Sequence, residues 1–119
     1  MSLWAGTAAS EDAFELVLEV GFSEDGDFLG SPFSRAFGID YYDEGLREAE
    51  YFQEPSDRLE VLLDGVSYQN VVLPRLREEG QLSGPVNCVV LLYDQRHDGP
   101  TRWSGPDVVL EFFGSARYR

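Results

Sequence analysis

The chain has 119 residues, with 22 Asp plus Glu against nine Arg and no Lys, for a formal net charge of −13. Such an excess of acid repels phosphate, which excludes nucleic acid and anionic membrane surfaces as natural partners and favours a basic one. With 43 % hydrophobic and 13 % aromatic residues, the composition is that of a folding chain, and the length suits one domain spanning residues 1–119.

The longest apolar run, 86–93, is interrupted by Asn87 and falls far short of the roughly 20 residues a membrane span needs. No basic-then-apolar leader opens the sequence, Cys88 has no second cysteine to pair with, and the chain reads as soluble and cytoplasmic. Met1 and Ser2 are given no weight. The charge is unevenly placed: residues 11–64 hold 16 acidic side chains against Arg35, Arg47 and Arg58, whereas residues 65–119 balance six acids with six Arg. A generic solubilising surface explains most acidic proteins, but an asymmetry of this size points to an interaction face.

In chain order, Leu3-Trp4-Ala5 predicts a short strand ended by Gly6. Ser10 caps a helix with Glu11 and Asp12 in its first turn and Ala13, Phe14, Val17 and Leu18 on one face, although Phe14, Leu16, Leu18 and Val20 also alternate as in a strand. Residues 21–31 read as a loop. Ser31-Pro32 starts a short helix with Phe33, Ala36 and Phe37 on one face and Gly38 as its stop. Residues 47–53 predict a strand closed by Pro55, with acids that mark a solvated face or an edge. Ser56 and Asp57 then predict a helix carrying Leu59, Leu62, Leu63 and Val66 at one-face spacing, with Gly65 as its C-terminal stop. A further helix holds Val71, Val72, Leu73 and Leu76 and ends at Gly80, with Pro74 in its first turn or kinking it. Residues 86–93 are too continuously apolar for a one-sided strand and read as the centre of the sheet; 94–106 read as a hairpin-like connection and 108–113 as the last strand. The fold class is α+β, an antiparallel sheet of about four strands with helices packed mainly on one face.

Chemistry is sparse. His97 lies in a Gly-containing turn and Cys88 in the most apolar segment, so the imidazole is expected at a solvated loop tip and the thiol in the core, with no nucleophile beside a base. Zinc spacing is absent. Glu24-Asp25-Gly26-Asp27 resembles a calcium loop superficially but lacks its spacing, and position 12 from Asp25 is Ala36 where a bidentate Glu belongs. Carboxylate pairs can always be chosen from so many acids, and no Gly-rich phosphate loop exists. The expectation is no catalytic residue, no metal and no cofactor. The segment that stands out is Asp40-Tyr41-Tyr42-Asp43-Glu44, followed by Glu48, Glu50 and Tyr51. Carboxylates around tyrosines suit the Arg and Lys of a partner. A competing reading places Tyr41 and Phe52 in the core with the acids as solvated rim.

These residues also carry a family resemblance. Leu3-Trp4-Ala5-Gly6, Ser10-Glu11-Asp12, Asp25-Gly26-Asp27, Ser31-Pro32-Phe33 and the run from Phe37 to Glu44 are followed by Glu48-Ala49-Glu50-Tyr51. Next come Leu62 to Tyr68, Asn87 to Tyr93, and Phe112-Phe113-Gly114-Ser115. In this order and spacing the chain resembles the bacterial polymorphic-toxin immunity proteins grouped as immunity protein 22. It departs in using Arg alone where the family commonly has Lys, and in the turn 101–107, which matches none of these motifs. The resemblance implies a non-catalytic protein, encoded beside a toxin that is often a nuclease, which binds and neutralises that toxin in the producing cell. An acidic face that occupies a basic cleft agrees with the charge count. The toxin contacts expected on it are Asp40, Tyr42, Asp43, Glu44, Glu48, Glu50 and Tyr51, with Asp25, Asp27, Asp57 and Asp64 as rim, in a monomer or weak homodimer. An adaptor or scaffold domain, and a small carboxylate- or metal-dependent hydrolase, are the other readings.

Overall fold

Alternation of large apolar residues on both sides of two strands organises the molecule. In the computed structural model, which describes residues 1–119, β1 (Ser2–Ala8) pairs antiparallel with β5 (Val86–Leu92), Trp4 opposite Val90 and Ala5 opposite Val89. Trp4, Cys88, Val90 and Leu92 point to one face, and Leu3, Ala5, Val89 and Leu91 to the other. Both sets are fully or almost fully buried, so both faces of the sheet need a cover.

The helices supply one on each side. On the Trp4 face lie α1 (Glu11–Leu18), through Phe14, Val17 and Leu18, and α2 (Pro32–Ala36), with Phe33 and with Phe37 just beyond it. On the Leu3 face lie α3 (Leu59–Leu62) and α4 (Gln69–Glu79), through Leu59, Leu62, Leu63, Val72 and Leu76. The class is α+β, as expected, but the helices cover both faces and the sheet has five strands. Its order is β4-β5-β1-β7-β6, antiparallel throughout. One outer strand is β4 (Arg47–Ser56); the other, β6 (Arg102–Ser104), pairs with β7 (Val108–Ser115). The central strand is therefore β1, with β5 one place from the edge. A small hairpin, β2 (Gly21–Phe22) with β3 (Phe28–Gly30), occupies the predicted loop.

Local capping signals translate directly. Ser10 Oγ accepts from Ala13 N–H at 3.1 Å, and Ser31 with Ser34 forms a reciprocal capping box. Other signals are overridden. Gly6 does not end β1: a Cβ there would sit 1.8 Å from the Val109 carbonyl oxygen, so the glycine lets β7 approach mid-strand. Ser56 finishes β4, and the helix expected after it shrinks to the single turn of α3, which has no side-chain cap. The backbone turns left-handed at Gly65 (φ 85°) and again at Tyr68 (φ 60°) before α4 begins, and Pro74 lies inside that helix.

Ser2 and His97 depart furthest from expectation. Ser2 is fully buried; its hydroxyl donates to the Gln95 carbonyl, lies 2.7 Å from Ser115 Oγ, and accepts from His97 N–H. The imidazole expected at a loop tip instead packs against Trp4, Phe37 and Phe112, 9 % exposed, with Nε2 2.5 Å from the Pro100 carbonyl oxygen. The loop after β5 folds back over the end of β1 and carries His97 inward. Cys88 is in the core as expected, and burial pushes its thiol up to about 12.

Candidate functional site

Because α1 packs toward β1 and β7, the part of the Trp4 face that belongs to β4 is left as a groove. This groove, of about 900 Å³, runs between α1 and the sheet edge. Its floor and walls include Phe14, Leu18, Val20, Ala49 and Tyr51, with Leu16, 63 % exposed, on the rim. Five acidic side chains border it, Glu11, Asp12, Glu15 and Glu19 from α1 and Glu44 just ahead of β4; Glu50, opposite Val89 in the register, turns its side chain to the other face of the sheet. The one basic residue on its wall is committed internally. Arg47 Nη1 donates to the Leu18 carbonyl at 2.9 Å and to Tyr42 Oη at 3.0 Å, which ties the end of α1 to the start of β4.

A smaller groove of about 430 Å³ flanks the same strand on the other face of the sheet. Glu48, Glu50, Asp64, Leu62 and Val66 line it. Here Glu48 Oε1 accepts from Ser67 N–H at 2.9 Å, and Tyr93 Oη donates to the Ser67 carbonyl at 2.6 Å. Glu48 thus holds the turn between α3 and α4. Burial, followed by the nearby Glu48 carboxylate, pushes the Tyr93 phenol up from its ordinary range.

The residues singled out in the sequence divide accordingly. Glu44 and Tyr51 meet at the larger groove, and Glu48, Glu50 and Asp64 at the smaller. Asp40, Asp43, Asp25, Asp27 and Asp57 are exposed, Asp43 with one carboxylate oxygen capping the short turn Glu44–Leu46 through Gly45 N–H. Tyr42 is a correction. At 4 % exposure, with its ring against Phe28 and Phe33 and its hydroxyl bonded to Arg47, it is a core residue. Its neighbour Tyr41, weighed as core, is 63 % exposed. The acids of α1 are part of the segmental charge but not of the expected site; their spacing along one helix, beside the segment that carries Glu44 into β4, is the signal for them.

A groove near the C-terminus, of about 850 Å³, has mixed charge: Arg96, Arg117 and Arg119 with Glu79 and Asp94. No three His, Cys, Asp or Glu side chains converge to hold a metal ion, and no helix is long and apolar enough to cross a membrane.

Compared with known protein families, the sequence matches the model described as Immunity protein 22 over residues 1–119. The chain belongs to the Immunity protein 22 family. Comparison with curated proteins and with solved structures gives no match. An immunity protein has, in general, the role of binding and neutralising a cognate toxin, and such families are generally non-catalytic. In this Immunity protein 22 chain the acidic groove beside β4 is where the charge excess and an accessible cavity coincide.

Proposed function

We propose that this chain is a non-catalytic immunity domain that neutralises a nuclease toxin in the cytoplasm of the producing cell by seating the toxin's basic surface against the groove between α1 and β4. The observation that carries this reading is the ring of Glu11, Asp12, Glu15, Glu19 and Glu44 around one cavity whose single Arg is bonded internally, with Glu50 on the other face of the same strand. Asp40, Asp43 and Tyr51 extend the contact surface, Glu48 positions it, and Asp25, Asp27, Asp57 and Asp64 form its rim. Clustered carboxylates steer a basic partner into encounter and compete with the phosphates of its substrate. The same field keeps nucleic acid away from the immunity protein itself.

Calorimetric titration with the product of the adjacent gene tests the proposal. Tight binding that weakens as salt rises, and that falls by about tenfold or more in a Glu15→Arg, Glu50→Arg double variant, is the expected result. Binding unaffected by both salt and the double variant would overturn this placement, and the absence of binding would overturn the function.

A further inference from the structure

The outer side of β4 has unpaired backbone. Tyr93 N–H donates to the Leu46 carbonyl at 2.9 Å, which sets the phase of the ladder. With the register running from Arg47 opposite Leu92 to Tyr51 opposite Cys88, Glu48 and Glu50 bond to β5. Ala49 and Tyr51 therefore turn their N–H and C=O groups outward, as does the Arg47 carbonyl, while the Arg47 N–H donates to the Glu44 carbonyl of the turn before the strand. β4 is the last strand of the sheet on this side, and no other segment bonds the outward groups of Ala49 and Tyr51.

We propose that β4 takes up an extended, basic segment of the partner as a sixth strand, paired through Ala49, Tyr51 and the Arg47 carbonyl. Successive side chains of an added strand fall on opposite faces. One set would enter the larger groove toward Glu15, Glu19 and Glu44, and the other the smaller groove toward Glu50 and Asp64. Both sets meet carboxylates, so an alternation rich in Lys or Arg suits the two grooves together. A second copy of this chain does not fit: antiparallel pairing of two β4 strands brings the acids of one against those of the other, and like charges placed opposite destabilise a pair. The toxin as source of the segment rests on the function proposed above; the strand site itself does not.

The probe is a peptide of about eight residues repeating Lys-Lys-Thr-Thr, which places Lys on both faces of the added strand, titrated into the full chain at about 150 mM salt and followed by amide exchange in NMR spectra. Exchange at Ala49 and Tyr51 is expected to slow by about tenfold or more at saturation, with Glu48 and Glu50 unchanged. Ala49→Pro removes an N–H that lies outside the existing ladder, and it should weaken the peptide by about tenfold while thermal unfolding shows the variant folded. Glu50→Arg, which keeps every backbone group, should weaken it as well. Free exchange at the two amides in the bound state, no binding up to about 1 mM peptide, or protection that follows protein concentration without peptide would each overturn the proposal. The toxin separates the two claims. Equal toxin binding by wild type and Ala49→Pro overturns strand addition and leaves the proposed function standing; peptide uptake by a chain that ignores the adjacent gene's product does the reverse.

Discussion

At one end of the sheet β6 offers three residues, with Pro100 shortly before it and Gly105-Pro106 after it, and Arg102 reaches across to Glu111 at 3.1 Å. At the other end β4 runs ten residues, departs from regular pairing with β5 only beyond Tyr51, and has an acid-lined groove on each side. Proteins normally blunt an edge by shortness, Pro, charge or cover. The β6 edge uses the first two. Pro55 and the irregular pairing guard the far end of β4, but from Arg47 to Tyr51 its edge is guarded only by negative charge, which repels a copy of itself and leaves it open to a basic chain. The contrast assigns different work to the two edges: one closes the fold, and the other faces a partner.

Gly6→Ala should break the comparison most severely. Its Cβ would collide with the Val109 backbone and part β7, with β6 attached, from β1. Denaturant unfolding should show a loss of about 3 kcal/mol or more, and a variant of unchanged stability would mean that the close approach is not what holds that half. Arg47→Ala should cost less, about 1–3 kcal/mol, since it strips partners from the Leu18 carbonyl and Tyr42 hydroxyl. The loss should be accompanied by faster amide exchange at the start of β4. Charge reversal then separates the edges by function. Glu44→Arg with Glu50→Arg should weaken toxin binding by about tenfold or more, whereas Arg102→Glu with Glu111→Arg, which swaps the ion pair on β6, should change it less than about twofold. Equal effects at both edges would erase the distinction.

The smallest effect lies outside both edges. Glu60 is held at about 2, against an ordinary 4.5, first by its own backbone N–H and then by Arg58 and Arg77. A carboxyl lowered in the folded state contributes stability that is present above its unfolded value and lost as pH falls toward the folded one. Unfolding measured between about pH 4.5 and pH 2 should therefore show a shallow loss that Glu60→Gln flattens.

How much of this was legible depended on whether the deciding interactions were local. The caps at Ser10 and Ser31 were readable because donor and acceptor lie within three residues of each other. Edge character in β4 was readable from its acids, and two-sided burial of β5 from an apolar run broken only at Asn87, a burial that also calls for helices on both faces. Tyr41 and Tyr42 could not be told apart: which of two adjacent rings turns inward is decided by Phe28, Phe33 and Arg47, brought there by other segments. His97 was misplaced for the same reason, its cage being formed by Trp4, Phe37 and Phe112. The groove was half legible. Its acids were visible as a count, but their convergence depends on α1 lying beside β4, which no sequence interval expresses.

Cys88 gives the molecule a built-in chemical clock. It is the sole thiol, fully buried on β5, with Tyr51 of β4 opposite it on one side and Gly6 of β1 on the other. A thiol reagent reaches it only when the sheet opens beside it, so the rate of labelling counts those openings. A partner seated along β4 would slow the clock without touching the cysteine.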